Sequence, residues 1–320
     1  MDNSRLSTVL AIPRRPWFWA FAASAIAYFA TLSLTEGRGG GELLSAVLTF
    51  ASFSAIVGLG QMFVITLGPG NVDLSIPATM TLAGTLSLKF MDGAANLILP
   101  GLAVALAVGI GAGTFNYLLI RLLRIPPIIA TLSASFLYQS LAIWWNRGLR
   151  IKPPEALADF STGAIAGLPN LTIIGVLIAL LSWVVLERSI FGRWVSAFGQ
   201  NTRAARLSGI PVETVRAVTY IASAVLAAFT GYLLASFSGG AALNMGTEYL
   251  LISIAVVVIG GCSIAGGNSN VPGIWGGALL MFLVVSMLNS YGFGAGVRLI
   301  MTGAIIIGIV AAASGKGRPT

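Results

Sequence analysis

One carboxylate in this sequence stands apart from all other charged side chains. Asp73 has no charged neighbour within ten positions on either side, and it lies in the segment GPGNVDLSIP, residues 68–77, just before an apolar run. An ionisable group at such a border is a candidate for gating or coupling. Asn, Asp and Ser before an apolar run also cap the first free amides of a helix, and a carboxylate there favours the positive end of the helix dipole. Asn71, Asp73 and Ser75 are therefore predicted either to gate or to cap a helix, and both alternatives stay open.

The sequence excludes several other kinds of site. It contains no histidine, so imidazole metal ligation, general base catalysis and proton relays have no side chain to use. The single cysteine, Cys262, cannot form an internal disulfide. No segment matches a P-loop, because the only Gly-Lys pair, Gly315-Lys316, is followed by Gly317. We therefore expect no metal and no cofactor in this chain, and any ATP with its magnesium on a separate ATPase polypeptide.

The composition is that of a membrane protein. Of the 320 residues, 57% are hydrophobic and 9% are charged, whereas soluble domains carry about 25% charged residues. The apolar residues form runs of about 17 or more, the length that crosses a hydrocarbon core as a helix. The net charge of +8 comes from basic residues scattered between these runs, which indicates membrane topology and no nucleic-acid partner. The expected fold class is an all-α polytopic membrane protein in a single transmembrane domain, residues 1–320.

Charged residues and turn signals divide the chain into ten predicted spans. The uncharged stretch 249–297 is long enough for two helices and contains the turn-forming segment 265–273, AGGNSNVPG. The third predicted span, 72–89, is short, so it either crosses the membrane fully or is a re-entrant segment. The predicted spans are 17–34, 43–66, 72–89, 96–120, 126–145, 169–187, 216–236, 249–266, 272–290 and 298–313.

The distribution of Lys and Arg predicts the orientation. An even number of spans places both termini on one side, and twelve basic residues then fall on that side against six on the other. The positive-inside rule makes the richer side cytoplasmic. The predicted cytoplasmic parts are the tail 1–15, the loop 187–216 and the tail 314–320, in the cytoplasmic (inner) membrane of a bacterium. The loop 187–216 is long for a helical membrane protein, so it is either a docking element or a solvated loop.

Four segments, in this order along the chain, resemble the permeases of ribose-type ABC sugar importers. Residues 70–75, GNVDLS, are similar to that family's Gly-Ile-Asp-Leu-Ser segment, and residues 113–120 with 125–132, GTFNYLLI and IPPIIATL, to its Asn-Gly-Leu-Leu-Ile and Pro-x-Phe-Ile-Ala-Thr-Leu run. Residues 199–210, GQNTRAARLSGI, resemble its cytoplasmic coupling segment, and residues 255–267, AVVVIGGCSIAGG, its Gly-Gly-x-Ser-x-x-Gly-Gly block. The sequence departs from the pattern at Asn71 and Pro77, where the family tends to have glycine.

The resemblance implies a type II-like ABC importer permease that is not itself an enzyme. Its expected partners are ABC ATPase subunits, a second permease subunit that is identical or homologous, and a periplasmic solute-binding protein. The expected activity is ATP-driven import of a monosaccharide or related polyol by alternating access, along a path at the subunit interface. The alternative is an ion-coupled secondary transporter of a small polar solute, which would normally carry ionisable groups inside the membrane.

The resemblance also assigns expected roles to individual residues. The translocation path is predicted to include Asn116, Thr131 and Ser133. We expect a short coupling helix from Gly199 to Gly209, because residues 202–207 are good helix formers with a glycine on either side. Ala204, Ala205 and Leu207 would form its small apolar docking surface. The predicted ATPase-coupling residues are Gly199, Asn201, Arg203, Ala204, Ala205, Arg206 and Gly209.

The predicted topology can be checked by cysteine labelling. A membrane-impermeant maleimide added to intact cells should label Glu155→Cys and leave Arg203→Cys unlabelled, because the arginine distribution places these positions on opposite faces. Arg203→Cys should react only after the membrane is permeabilised. Labelling of both positions from the periplasmic face would overturn the ten-span arrangement.

Overall fold

The protein, seen in a computed structural model, is a bundle of α-helices. The structure describes residues 16–34, 39–146, 152–291 and part of 294–308. The first half contains α1 Pro16–Leu34, α2 Gly40–Ile65, α3 Ile76–Met91, a 3-10 turn Ala95–Leu97, α4 Ile98–Leu122 and α5 Pro127–Trp145. The second half contains α6 Glu155–Thr162, the antiparallel hairpin β1 Ala164–Ile165 and β2 Leu168–Pro169, α7 Asn170–Trp183 with a π-helical extension Val184–Arg188, α8 Ile190–Gln200, α9 Thr202–Leu207, α10 Val212–Phe237, α11 Tyr249–Ile259 and α12 Val271–Ser290.

Seven helical segments of the described chain are long and apolar enough to cross a membrane, which confirms the all-α polytopic class. They correspond to seven of the ten predicted spans. The predicted span 298–313 lies largely outside the described residues, as do both predicted tails. The seven segments are Trp17–Leu34, Gly40–Ile65, Ala95–Leu122, Pro127–Trp145, Asn170–Arg188, Val212–Phe237 and Val271–Leu288.

Two predicted spans are shorter than the sequence suggested. The span predicted at 72–89 is α3, with 16 residues, or about 24 Å of helix against a hydrocarbon core of about 30 Å. The span predicted at 249–266 is wrong in length, because α11 has 11 residues and extends about 16 Å. It ends where Gly261 adopts a positive φ of 82°, a conformation that glycine takes without steric cost.

The starts of the two short helices lie next to each other inside the bundle. Pro77 occupies the first turn of α3, where its missing N–H has no helical partner. A Cβ on Gly246, in the segment before α11, would collide with the carbonyl oxygen of Pro77. Further along α3, a Cβ on Gly84 would lie 2.8 Å from the carbonyl oxygen of Gly231 in α10. Pro77 lies seven residues before Gly84 on α3, about 10 Å from that contact toward the start of the helix. The chain between α10 and α11 therefore turns back into the bundle to reach Pro77.

Helix α10 is the centre of the packing, and glycines on its neighbours let it approach them closely. A Cβ on Gly113 of α4 would collide with Ile221, and one on Gly109 would lie 2.7 Å from the Cα of Val225. On α2, a Cβ on Gly60 would lie 3.2 Å from the Cα of Ser223. Small residues allow such close backbone contact in lipid, where hydrophobicity does not drive helices together. The glycines of α2 and α4 therefore allow close packing of these helices on α10.

Adding one methyl group at the contact between α3 and α10 should destabilise the protein. A Cβ on Gly231 would collide with the backbone of Met80, so Gly231→Ala is expected to cost about 1–3 kcal/mol through overpacking. The measurement is the thermal unfolding midpoint in detergent. Gly111→Ala is the matched control, because that Cβ meets nothing within 4 Å and alanine is the better helix former. Equal midpoints for the two variants would contradict the packing described here.

Candidate functional site

The connection between α2 and α3 carries the isolated carboxylate into the interior of the bundle. Two glycines with positive φ, Gly68 at 104° and Gly70 at 79°, turn the chain after α2. The segment then places Asp73 three residues before the first residue of α3, with none of its surface exposed to solvent. A carboxylate buried in this way is costly unless hydrogen-bond donors replace the water that it has lost.

Neutral donors surround the carboxylate of Asp73. Its Oδ1 accepts hydrogen bonds from the backbone N–H of Ser75 at 3.0 Å and from the Ser75 hydroxyl at 2.6 Å. Its Oδ2 accepts a hydrogen bond from the hydroxyl of Ser223 on α10 at 2.9 Å. The backbone N–H of Asp73 donates to Oε1 of Gln61 at 3.2 Å. The carboxylate thus joins the start of α3 to α10 and stabilises both.

These contacts refine the prediction that Asp73 caps a helix. The residue at the N-cap position of α3 is Ser75, and its side chain makes no capping bond. Asp73 accepts the N–H of Ser75 instead, two residues on, which is the contact of an Asx turn. Asp73 therefore shapes the turn that leads into α3 and also makes a bond between helices. A role in gating stays a prediction.

The hydrogen bonds continue from Ser75 to α4 and α5. The Ser75 hydroxyl accepts from Nδ2 of Asn116 at 2.8 Å, and Oδ1 of Asn116 accepts from the hydroxyl of Tyr138 at 3.0 Å. The hydroxyl of Thr131 accepts from the backbone N–H of Leu74 at 3.0 Å. These groups, all buried except the half-buried Asn71, are called the Asp73 cluster, which comprises Gln61, Asn71, Asp73, Ser75, Asn116, Thr131, Tyr138, Tyr220 and Ser223.

The structure brings together five of the residues that the sequence singled out. Asn116 and Thr131, predicted on the translocation path, are fully buried and bond to the segment that contains Asp73. Ser133 is exposed on α5 and is not in the cluster. Roles for these three side chains on a translocation path stay predictions.

Sequence reasoning missed four members of the Asp73 cluster. Ser223 and Tyr220 lie on α10, and Tyr220 donates from its hydroxyl to Oδ1 of Asn71 at 3.1 Å. Tyr138 lies on α5, and Gln61 lies on α2. Gln61 carried the clearest sequence signal, because it is an amide side chain within a long apolar run. In the described structure its Nε2 is buried without a hydrogen-bond partner.

The second candidate site is the predicted coupling segment. The coupling helix predicted from Gly199 to Gly209 is shorter in the structure, where residues 202–207 form the short helix α9 and Gly199 belongs to α8. Oδ1 of Asn201 caps α9 by accepting from the N–H of Ala204 at 3.0 Å. Gly209 follows with a φ of 82°, so the helix stops there. Arg203, Ala204 and Arg206 are exposed, and Leu207 has 83% of its surface exposed.

One residue of the predicted docking surface, Ala205, faces the core of the protein. Ala205 is only 4% exposed and belongs to the main hydrophobic core of this chain. The prediction that Ala205 lies on a surface open to a partner is therefore wrong. The reason is the helical period, since adjacent residues of one helical turn face different directions. Leu207 is the apolar side chain that α9 leaves uncovered.

Both ends of the coupling segment are fastened to the bundle. Gly199, predicted as a coupling residue, is buried, and a Cβ there would collide with the carbonyl oxygen of Thr66 and the backbone of Gly267. The N–H of Gly267 donates to that same carbonyl oxygen at 2.9 Å. The end of α8 therefore packs on the connection that continues to Asp73.

The other attachment is ionic and reaches α10. Arg206 of α9 pairs with Glu213 at 3.2 Å, and Arg216 pairs with the same carboxylate at 3.3 Å. Glu213 lies in the first turn of α10, the helix that also carries Ser223. The short helix α9 is thus connected to both elements that the Asp73 carboxylate joins.

Comparison with known proteins identifies the family. Residues 43–310 match the family described as the branched-chain amino acid transport system / permease component, which covers more than half of the chain. The chain belongs to this permease family. No solved structure matches it.

Individual relatives of the permease confirm the resemblance to ribose-type ABC sugar permeases. It is 31% identical over 266 residues to a probable ABC transporter permease protein, y4mJ, of Sinorhizobium fredii, covering 82% of this chain and 79% of that protein. It is 32% identical over 275 residues to the galactofuranose transporter permease protein of Escherichia coli, with coverage of 85% and 76%. The ribose import permease protein of Bacillus subtilis is 31% identical over 273 residues, with coverage of 82% and 81%.

Variants of Asp73 separate the contribution of its hydrogen bonds from that of its negative charge. In Asp73→Asn the amide oxygen can accept both bonds from Ser75, and the amide N–H can donate to the hydroxyl of Ser223, so we expect an unfolding midpoint near that of the unmodified permease. Asp73→Leu leaves the donors of Ser75 and Ser223 unpaired, at about 1–3 kcal/mol for each buried group, and should lower the midpoint by several degrees. A midpoint for Asp73→Asn as low as that of Asp73→Leu would show that the negative charge itself is required for the fold.

Proposed function

We propose that this permease is the membrane-spanning subunit of an ATP-driven, binding-protein-dependent importer for a monosaccharide or a related polyol. The relatives support the solute class, since they are named for import of ribose, galactofuranose and autoinducer 2. The absence of a P-loop from the sequence is consistent with a non-catalytic subunit whose ATP and magnesium are bound by a separate ATPase.

The observation that carries the ATP-driven mechanism is the construction of α9. This short helix is capped by Asn201, fixed to α10 through Arg206 and Glu213, and leaves Leu207 almost fully exposed. Exposed Arg203 and Arg206 flank this leucine on α9, and arginine with a central apolar anchor is typical of protein interfaces. We infer that α9 docks on the ATPase with Leu207 at the contact.

The attachments of α9 suggest how nucleotide-driven movement reaches the membrane helices. A push on α9 acts on α10 through the Arg206–Glu213 pair and on the connection before α3 through the contacts of Gly199. The Asp73 carboxylate bonds these two elements together. We infer that α10 and the α2–α3 connection move as one unit when the ATPase closes.

The proposal also specifies the other subunits of the importer. In the proposal, α9 and both termini are cytoplasmic, a second permease subunit completes the translocation path, and a periplasmic binding protein delivers the solute to the opposite face. Alternating access then arises from relative movement of the two permease subunits. An ion-coupled transporter is the second candidate, because Asp73 is a buried carboxylate whose hydrogen-bond donors among the described residues are all neutral.

A charge at the proposed ATPase contact should uncouple the importer. Leu207→Asp would replace the apolar anchor of the contact by a carboxylate, whose desolvation costs several kcal/mol. Because Leu207 is exposed in the isolated permease, we expect the fold to be unaffected. We expect at least a tenfold loss of ATPase co-purification and of ATP-dependent D-ribose uptake in proteoliposomes. Leu207→Met, which keeps the position apolar, is the matched control.

Two outcomes would contradict the proposal. If Leu207→Asp retains the ATPase and full uptake, α9 is not the docking element. If the unmodified permease takes up the sugar without any ATPase and loses uptake when a protonophore is added, the ion-coupled mechanism is correct.

A further inference from the structure

A cavity of about 300 Å³ opens within the described bundle, and none of its lining residues belongs to α9 or to the Asp73 cluster. It lies between α2, the end of α10, the segment 238–248, the start of α11 and the middle of α12. Ser54 and Met281 are buried in its wall, while Ser238 and Glu248 are exposed. Its lining includes Phe50, Ser54, Ser238, Glu248, Tyr249 and Phe282.

Irregular backbone between α10 and α11 lies beside this cavity. The segment 238–248 leaves the end of α10, and its Leu243 carbonyl oxygen accepts a hydrogen bond from Nε2 of Gln139 on α5 at 2.8 Å. Gly246 then contacts Pro77 at the start of α3. Non-helical backbone is tolerated at membrane depth only where it is buried in protein or lines a water-filled cavity. Gly246 is the one buried residue of this segment, and Ser238, Met245 and Glu248 line the cavity, so the path from α10 to α11 forms part of the cavity wall.

The walls of the cavity combine aromatic faces with a few polar groups. The rings of Phe50 and Phe282 are stacked, with centroids 5.0 Å apart and planes 6° apart, and Tyr249 lies beside them at the start of α11. Small-molecule sites are mostly apolar with a small number of placed polar groups. Here the polar groups are the Ser54 and Ser238 hydroxyls and the Glu248 carboxylate. Apolar C–H faces and hydroxyl groups are the two surfaces that a sugar presents.

The charge of the lining selects among small solutes. Glu248 is the only charged side chain among the residues that line the cavity in the described structure, and no lysine or arginine lines it. An anionic solute, or the carboxylate of an amino acid, would meet a like charge and no cation there. Sugar hydroxyls can donate to Glu248 in charge-assisted hydrogen bonds, which are stronger than neutral ones. The lining thus favours a neutral polyhydroxylated solute over an amino acid.

We propose that this cavity is a solute-binding site of the permease, in which a neutral monosaccharide packs on the aromatic wall of Phe50, Tyr249 and Phe282 and donates hydroxyl hydrogens to Glu248. The proposal rests on the proposed import of a sugar and adds the residues that contact it. The volume is at the low end of the range of about 300–1,000 Å³ for small-molecule sites, which suits one sugar unit. The cavity lies near the end of α10 that is about 39 Å from its α9 end, so solute is bound far from the proposed ATPase contact.

Protection of a cysteine placed in the cavity tests occupancy directly. In a Cys262→Ala background, Ser238→Cys puts a thiol in the lining with little change in size. We expect millimolar concentrations of the sugar that supports ATP-dependent uptake, chosen from D-ribose, D-xylose and D-galactose, to slow maleimide labelling at least fivefold in the assembled importer. Leu99→Cys is the control, because Leu99 is 76% exposed, does not line the cavity and lies at the same end of the bundle.

A functional variant provides the second measurement. Glu248→Ala removes the acceptor at an exposed position, so we expect at least a tenfold loss of uptake at low sugar concentration with unchanged ATPase co-purification. Leu99→Ala should keep full uptake. Slower labelling of Ser238→Cys by the imported sugar, together with the loss in Glu248→Ala, supports the proposal.

Each of the other outcomes contradicts one part of the proposal. Uptake of a sugar without protection, or with Glu248→Ala within twofold of the unmodified importer, places the solute elsewhere and leaves the proposed import intact. Protection by L-leucine and not by any sugar overturns the sugar as occupant. If the unmodified importer takes up none of the three sugars and none protects, both the proposed function and this site assignment fail.

Discussion

The structure depends on the requirement that polar groups inside a membrane bundle find partners within the protein. Asp73 is the clearest case, because its carboxylate is fully buried and is satisfied by the hydroxyls of Ser75 and Ser223 and by one backbone N–H. Those donors come from two different elements, so the same bonds that lower the cost of the buried carboxylate also fix α3 against α10. One acidic side chain therefore contributes to holding the central helix, together with the close glycine contacts of α2, α3 and α4.

The same requirement explains why two helices begin inside the bundle. Chain segments before α3 and before α11 have irregular backbone, and each places a buried residue inside the bundle, Asp73 in the first and Gly246 in the second. The segments meet where Gly246 packs on Pro77. The first irregular segment runs from the α9 end of the bundle through Gly68 to Asp73. The second lies beside the cavity that Glu248 lines. In the proposed importer, the ATPase contact and the solute site lie at different levels of the bundle, and the two irregular segments meet between them.

Much of the fold was predictable because hydrophobicity alone selects membrane-spanning helices. Seven predicted spans correspond to helices in the structure, and the helix formers at 202–207 make α9, although Asn201 separates it from Gly199, where the predicted coupling helix began. The length of α11 was not predictable in this way. Its apolar run continues past Ile259, but two glycines and the packing of Gly260 against Gly273 end the helix. Similarly, helix propensity predicted that α9 forms, but its burial of Ala205 depends on contacts with the core.

The sequence by itself determined the membrane class, most of the helices, the family and the importance of the segment around Asp73, because these depend on local composition and on motifs in order. Only the tertiary structure decided which side chains meet. Ser223 lies 150 positions from Asp73 along the chain, and Phe50 stacks on Phe282 across the bundle. The physical reason is that helix packing in lipid is set by the shape of small-residue contacts and by interhelical hydrogen bonds, which no local pattern in the chain specifies.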